Sequence, residues 1–194
     1  NQWDKIIPEF RQRLQTTVTL FGAESVGKTT MALNCGVDPL VTVVPEWARD
    51  YLEQNGPELN REVMMRIVEG QTSLQSVARR SVRTPFVVQD TDLFSTIGYW
   101  ELHEDEYGPV PEGLIDTALL FKSDMYYVLS VDRVEFEPDV LRYGGDKRET
   151  GDKYWIDLLE RFDLPYEVVY TEEQDVHISS RLTELTKYKR RYND

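Results

Sequence analysis

The chain alternates short runs of apolar, β-branched residues with longer polar segments that repeat apolar residues at helical spacing. Each run is bounded by turn or polar residues, and together they cover 17–21, 40–44, 85–89, 125–131 and 166–170. Continuous apolar runs are typical of strands covered on both faces, and strand–helix alternation is typical of parallel sheets. The pattern predicts an α/β fold, with a doubly wound parallel five-stranded sheet and helices on both faces.

Two further segments carry helical spacing. In one, Val63, Ile67, Gly70, Leu74 and Val77 recur at the interval that predicts one stripe of a helix. In the other, residues 1–15 form a leading amphipathic segment, which we expect to pack against the edge of the sheet. Its apolar side would be formed by Ile6, Ile7, Phe10 and Leu14. No internal repeat or Pro/Gly-rich linker divides the chain, so 1–194 is predicted to be one domain.

The first strand runs into a phosphate-binding motif. Residues 22–29 read Gly-Ala-Glu-Ser-Val-Gly-Lys-Thr, which fits G-x-x-x-x-G-K-[ST], and a helix-compatible segment begins at Thr30. Two glycines let backbone amides curl around phosphate oxygens at a helix N-terminus, where the dipole favours anions. The motif predicts a site for a nucleoside triphosphate such as ATP, held by residues of the loop and the start of the helix: Gly22, Glu24, Ser25, Val26, Gly27, Lys28, Thr29 and Thr30.

Acidic residues lie at the ends of two other predicted strands. Asp90 and Asp92 end the 85–89 run, and we expect Asp90 to share Mg²⁺ with the Thr29 hydroxyl. Glu46 and Arg49 come after the 40–44 run, at the sheet edge where ligands bind in open parallel sheets. Glu46 or Asp92 would position or deprotonate an acceptor hydroxyl, and Arg49 would pair with Glu46 or contact phosphate.

Composition narrows the function classes. The 194 residues include 22 Lys and Arg against 35 Asp and Glu, a net charge of -13, which argues against a surface-wide nucleic-acid footprint but leaves room for a local basic groove. One cysteine and two histidines are too few for an internal disulfide or a structural zinc site. No apolar run approaches the roughly 18 residues of a membrane helix, and no signal peptide opens the chain, so we expect a cytoplasmic protein without a membrane partner.

The segment after the fourth strand indicates the type of phosphate chemistry. A switch GTPase needs an N-K-x-D segment to recognise guanine, and this sequence contains none. Residues 133–152 instead are predicted to form a mobile basic lid, since the run 139–148 within them carries two glycines with Arg142, Lys147 and Arg148. Such cations stabilise charge on a transferring phosphoryl group. The sequence therefore predicts a small kinase with Lys28 and Arg142 among its catalytic residues.

Aromatic residues of the middle segment are candidates for the acceptor site. Tyr99, Trp100 and Tyr107 lie in a stretch that also carries several carboxylates. Their rings would stack on the flat ring of an acceptor molecule. We expect Tyr99 and Trp100, together with Glu46, Arg49 and Asp92, to contact the acceptor.

The ordered set of motifs resembles the ribosylnicotinamide kinase domain of NadR-type proteins. The resemblance runs from Thr17 to about Leu185 and rests on five segments: 22–29, 46–51, 90–92, 136–142 and 164–166. It implies Mg-ATP-dependent phosphorylation of a nucleoside hydroxyl, with the 5′-hydroxyl of nicotinamide riboside as acceptor.

Two alternatives remain open from the sequence. Stand-alone relatives are common among phages, where P-loop kinases also phosphorylate 5-hydroxymethyluracil in DNA, and such a protein would act in the host cytoplasm. The basic, aromatic tail 186–194 could then touch a DNA backbone. The other alternative is an ATP-binding regulatory module without an acceptor. The sequence does not indicate an oligomeric state.

Overall fold

Five strands form the centre of the molecule. A computed structural model describes residues 3–81, 83–132, 151–171 and 182. The strands are β1 (Thr16–Phe21), β2 (Val41–Val44), β3 (Phe86–Asp90), β4 (Met125–Leu129) and β5 (Tyr166–Val169), all within two residues of the predicted runs. All neighbours pair in parallel, in the order β2-β3-β1-β4-β5. The predicted parallel five-stranded sheet is confirmed.

Helices connect the strands and cover the sheet. They are α1 (Pro8–Leu14), α2 (Lys28–Cys35), α3 (Trp47–Asn55), α4 (Arg61–Ser81), α5 (Leu93–Leu102), α6 (Glu104–Tyr107), α7 (Leu114–Leu120) and α8 (Gly151–Arg161). In the described part of the chain, none of them is long and apolar enough to cross a membrane.

The helices lie on both faces of the sheet, as predicted. Gly36 at the end of α2 approaches the side chain of Val43, whereas Ala78 of α4 packs against Val44. Successive strand residues point to opposite faces, so α2 and α4 cover different sides. The sheet is therefore doubly wound, and the carboxyl ends of its strands meet at one edge.

Aromatic side chains fill much of the core on the α4 face. The Phe21 ring meets Tyr126 and Trp155 edge to face, with centroids 5.6 and 5.5 Å apart, and Phe94 meets Tyr126 at 6.2 Å. All four side chains are almost completely buried. Edge-to-face pairs of this kind contribute about 0.5–1.5 kcal/mol each beyond the burial of their area. They attach α5 and α8 firmly to the sheet.

The leading segment does not bury the predicted stripe. Ile7 and Phe10 are both 57% exposed, and Trp3 is the buried residue of this region. Pro8 begins α1 and holds Ile7 in an extended conformation, because the residue before a proline is disfavoured in helical geometry. The helical spacing from Ile6 onward is therefore broken, and the expected packing of this stripe against the sheet is wrong.

The buried side of α4 is rotated away from the predicted stripe. Its buried residues are Met64, Ile67, Gln71, Gln75 and Ala78, whereas Val77 is 66% exposed. The two glutamines tolerate burial because the side chain of each hydrogen bonds to a neighbouring element. The helix itself is confirmed, and its orientation is set by polar contacts that the hydrophobic pattern does not reveal.

Gly70 of α4 provides space for the indole of Trp47. A methyl group built on Gly70 would lie only 1.9 Å from the Trp47 Nε1 atom. Alanine is ordinarily about 1 kcal/mol more favourable than glycine in a helix. Here the clash of a rigid ring with the added methyl outweighs that gain, because closely packed side chains cannot move aside freely.

We expect Gly70→Ala to lower the free energy of unfolding by about 1–3 kcal/mol, the usual cost of overpacking. Urea unfolding followed by circular dichroism measures this without depending on the fluorescence of Trp47. Ser73→Ala, on the exposed side of the same helix, is the control and should change stability by less than about 0.5 kcal/mol. A Gly70→Ala protein more stable than wild type would contradict the close contact.

Candidate functional site

The loop between β1 and α2 has the geometry of an anion-binding nest. Gly22, Ser25 and Gly27 all have positive φ, at 120°, 57° and 86°. Residues that carry a side chain rarely adopt such backbone conformations. A Cβ on Gly22 would also lie 2.8 Å from the Leu129 carbonyl oxygen. Backbone amides in such a turn converge on one point ahead of a helix N-terminus. The loop is therefore shaped to hold phosphate oxygens.

Lys28 lies at the first turn of α2 and bends back over the loop. It is only 9% exposed, and its Nζ donates to the carbonyl oxygens of Gly22 at 3.1 Å and Ala23 at 2.5 Å. These two hydrogen bonds place the Lys28 ammonium beside the nest. Such a charge is available to the outer phosphates of a nucleotide.

Asp90 stands where a magnesium ligand is expected. Its register partner is Leu20 of β1, next to the loop, and strand alternation directs it to the sheet face that carries α2. Asp90 Oδ1 is buried and makes no hydrogen bond within the described part of the chain. Mg²⁺ prefers oxygen ligands and usually keeps several waters beside one or two carboxylates. Asp90 and the hydroxyl of Thr29 fit this ion.

Glu46 immediately precedes α3 and lies among charged groups of the loop region. Burial raises the pKa of Glu46 to about 7, and the negative charge of Asp90 adds to the shift. The positive charges of Lys28 and Arg49 lower the pKa, by less than burial raises it. The carboxyl group therefore gains and loses its proton near neutral pH, which is the range of an effective general base.

One pocket joins most of the predicted site residues. Loop and helix residues 24–30, Glu46, Arg49 and Tyr99 line it together. Arg49 also lies 4.0 Å from Glu53, one turn further along α3. The phosphate-binding loop and the residues after β2 thus face the same cavity.

The far end of the pocket is largely apolar and aromatic. It lies between α3, α4, α5 and α6, and its walls are formed by Leu52, Leu59, Met64, Ile67, Tyr99, His103 and Tyr107. The His103 and Tyr107 rings stack with centroids 5.5 Å apart. Arg61 at the start of α4 donates to the carbonyl oxygens of Tyr107 and Pro109, at 2.6 and 2.9 Å. These contacts hold the far wall in place.

Several residues of this end do not stand out in the sequence. Gln71, Ser95 and Thr96 line the pocket, and so does His103. The first three lie in helices whose polar residues look like solvent-facing positions in the sequence. For His103 and Tyr107, the aromatic and acidic stretch around them is the available signal.

Asp92 has a different role from the predicted one. It is 1% exposed and does not line the pocket. Its Oδ1 accepts from the backbone N–H groups of Phe94 and Ser95, at 3.0 and 3.3 Å, which makes it the N-cap of α5. Its Oδ2 accepts from the Tyr126 hydroxyl at 2.8 Å. Burial raises the pKa of Asp92 to about 6. Both oxygens are occupied, so the structure corrects the expectation that Asp92 contacts the acceptor.

Trp100 also differs from its prediction. The side chain is completely buried, and its Nε1 donates to the Gly108 carbonyl oxygen at 2.8 Å. The guanidinium of Arg61 lies over the ring, 5.3 Å from its centroid. The ring is one helical position beyond Tyr99 and therefore points into the core. Trp100 supports the pocket wall but is not available to stack on an acceptor.

The remaining predicted residues lie outside the described part of the chain. These are Arg142, Lys147 and Arg148 of the predicted lid and the basic tail 186–194. Only the last two residues of the predicted lid are described, and they begin α8. Asp152 accepts from the Val131 backbone N–H at 2.8 Å, which joins α8 to the end of β4.

Comparisons with known proteins agree with this geometry. A family model described as an AAA domain matches residues 17–176. The fold is similar to the crystal structure of a NadR protein in complex with NR, with a TM-score of 0.69 and 21% identity over 87% of this chain and 48% of that chain. The crystal structure of a NadR protein in complex with NAD and AMP-PNP is also similar, with a TM-score of 0.67 and 21% identity over 88% of this chain and 51% of that chain. This chain spans about half the length of those NadR chains.

A smaller kinase is similar over its whole length. Thymidylate kinase from Ehrlichia chaffeensis has a TM-score of 0.61 and 12% identity, over 87% of this chain and 98% of that chain. No curated protein matches the sequence. The predicted P-loop kinase fold of the NadR type is confirmed, and the phage origin stays a prediction.

The raised pKa of Glu46 predicts a pH-dependent gain in stability from Glu46→Gln. The folded protein holds a proton on Glu46 up to about pH 7, against an ordinary value of 4.5. Its contribution to stability therefore falls as pH rises from about 4.5 to 7, because the carboxylate must be ionised in a desolvated site. Glutamine avoids that cost.

Thermal unfolding of nucleotide-free protein at pH 5 and pH 8 measures the effect. We expect Glu46→Gln to raise the midpoint by about 3 °C or more at pH 8 and by much less at pH 5. Glu58→Gln, at an exposed position, should give the same small change at both values. Equal stabilisation by Glu46→Gln at both pH values would contradict the shift.

Proposed function

The chain belongs to the AAA domain family, and we propose that it is a Mg-ATP-dependent phosphotransferase that phosphorylates a hydroxyl of a nucleoside-type acceptor. The observation that carries the proposal is the continuity of the pocket. One cavity runs from the phosphate-binding loop past Glu46 and Arg49 to the apolar, aromatic end between α4 and α5. An ATPase without an acceptor has no need for such a second compartment.

The phosphate end would hold the nucleotide and stabilise the charge that moves during transfer. Loop amides from 22–27 and the Lys28 ammonium would bind the outer phosphates. Arg49 lines the same cavity and would add a second positive charge. Phosphoryl transfer proceeds through a loose transition state, so positioning and charge stabilisation contribute most of the acceleration. Mg²⁺ held by Thr29 and Asp90 would neutralise phosphate charge when bound.

Glu46 would receive the proton of the acceptor hydroxyl. As the hydroxyl oxygen bonds to the γ-phosphorus, the bond from that phosphorus to the ADP oxygen breaks, and the hydroxyl proton passes to the Glu46 carboxylate. A carboxyl with a pKa of about 7 is partly ionised at neutral pH and still accepts a proton readily. Glu46 lines the same cavity as the loop and the aromatic residues, which suits this task.

Nicotinamide riboside is the acceptor that we propose first. Tyr99, His103 and Tyr107 offer aromatic surfaces for a flat ring at the end of the pocket away from the phosphates. The similar fold of the NadR protein in complex with NR supports the same choice.

The proposal is tested by measuring ADP release from Mg-ATP with a panel of acceptors. The panel contains nicotinamide riboside, the common nucleosides and deoxynucleosides, and duplex DNA with and without 5-hydroxymethyluracil. We expect a nucleoside-type compound, with nicotinamide riboside foremost, to increase ADP release at least about tenfold. Stimulation by the modified DNA alone would replace the acceptor by a base in DNA. No stimulation by any of them would overturn the kinase assignment in favour of an ATP-binding module.

We expect Lys28→Ala to reduce acceptor-dependent turnover by at least about 100-fold, the typical loss when one preorganised transition-state contact is removed. The matched control is Lys153→Ala, an exposed lysine of α8 that pairs with Asp157. It should keep turnover within about twofold of wild type. Circular dichroism spectra that match wild type would show that both variants fold. Near-normal turnover in Lys28→Ala would contradict the assigned role of the loop.

A further inference from the structure

One buried amide nitrogen in the pocket has no hydrogen-bond partner among the described residues. Gln71 lies on α4, lines the cavity and is only 2% exposed. Its Nε2 makes no hydrogen bond to any part of the chain that the structure describes. Leaving a buried N–H donor unpaired is destabilising, and such donors are rare in native proteins. A bound molecule that accepts from Nε2 would remove this cost.

The orientation of the amide is fixed by its neighbour. Gln71 Oε1 accepts from the backbone N–H of Trp47 at 2.9 Å. A backbone N–H can only donate, so the oxygen of the amide must face Trp47 and the nitrogen must face elsewhere. Gln71 therefore presents a donor, and a bound molecule must offer an acceptor atom. Since Trp47 comes directly after Glu46, the amide is also tied to the residue that we assign as the base.

The surroundings make this donor selective. Met64 and Ile67 precede Gln71 by two turns and one turn on the same side of α4, and both line the pocket. Ser95 Oγ of α5, a residue that lines the same pocket, is also buried and without a partner among the described residues. Ligand sites typically combine an apolar lining with a few placed polar groups that fix orientation. An amide donor and a hydroxyl in one cavity match the acceptor and donor atoms of an amide or lactam.

We propose that Gln71 Nε2 recognises the acceptor through a hydrogen bond to a carbonyl oxygen or ring nitrogen on its planar ring, with Ser95 as the second polar contact. The proposal rests on the proposed function, since it concerns the acceptor of the same site. The substrate class is accordingly a nucleoside whose ring bears an amide, a lactam or an equivalent acceptor atom. Ribosides with a plain hydrocarbon or pyridine ring are rejected.

Gln75 provides a matched control within the same helix. It lies one turn after Gln71 and is 1% exposed, but it does not line the pocket. Its Nε2 donates to Gln89 Oε1 at 2.8 Å, inside the core. Replacing either glutamine by methionine removes a buried amide from α4 while keeping a side chain of similar length. A merely structural role predicts similar effects of the two changes on catalysis.

The test measures KM for an acceptor and for its analogue without the recognised atom, in wild type, Gln71→Met and Gln75→Met. The pairs are nicotinamide riboside with pyridine riboside, and uridine with phenyl riboside. In wild type we expect KM to be at least about tenfold higher for the analogue. In Gln71→Met the two values should converge, because acceptor KM rises about tenfold while analogue and ATP KM stay within about twofold. Gln75→Met should show the same KM difference between acceptor and analogue as wild type, although its free energy of unfolding should be lower.

The outcomes separate the two proposals. Suppose that wild type turns over the acceptors and that Gln71→Met shows the same KM difference between acceptor and analogue as wild type. That result would overturn the role of Gln71 and leave the kinase assignment intact. If Gln75→Met loses the KM difference between acceptor and analogue as fully as Gln71→Met does, Gln71 has only a structural role and the proposal is overturned. A wild-type protein that neither turns over these acceptors nor binds them by calorimetry would overturn both proposals.

Discussion

A chain of hydrogen bonds through the centre of the sheet joins the two walls of the pocket. From α4, Gln75 donates to Gln89 of β3, whose own Nε2 donates to Thr19 Oγ1 and Ser123 Oγ at 3.0 and 2.9 Å. The backbone N–H of Ser123 donates to the Tyr126 hydroxyl at 3.2 Å, and that hydroxyl donates to Asp92, the N-cap of α5. Each of these side chains is buried, so the loss of any one partner would be strongly destabilising. This chain stabilises the attachment of α4 and α5 to the central strands of the sheet.

The site concentrates like charge at the expense of stability. Glu46 and Asp90 are close enough for the charge of Asp90 to raise the pKa of Glu46, and burial adds the larger part. Lys28 and Arg49 offset this only in part. Asp90 Oδ1 meanwhile has no hydrogen bond within the described residues. A nucleotide with its metal would supply positive charge next to these carboxylates. Ligand binding would therefore reduce the electrostatic repulsion that destabilises the free protein. The carboxylates assigned to phosphoryl transfer, Glu46 and Asp90, are thus residues whose replacement should stabilise the free protein.

Much of the framework was predictable from local sequence. All five strands appear within two residues of their predicted positions, because continuous β-branched runs in an α/β protein have few other stable arrangements. The loop geometry was predictable from a motif in which glycine positions and the strand–loop–helix context are both local properties. Parallel topology then brought Asp90 beside the loop, since the carboxyl ends of parallel strands share one edge. The resemblance to the NadR type also anticipated the fold to which the structure is similar.

The side chains that complete the pocket were decided by tertiary contacts. The sequence determined where the strands lie and where phosphate binds, since both depend on residues that are neighbours along the chain. It did not reveal that Trp100 faces the core while Tyr99 faces the cavity, or that Asp92 is already bonded to α5 and Tyr126. Gln71 resembles a solvent-facing helix residue until Trp47, 24 positions away, takes up its oxygen and leaves its nitrogen for a ligand. Polar side chains have no fixed preference for core or surface; their burial depends on partners that only the folded chain brings within hydrogen-bond distance.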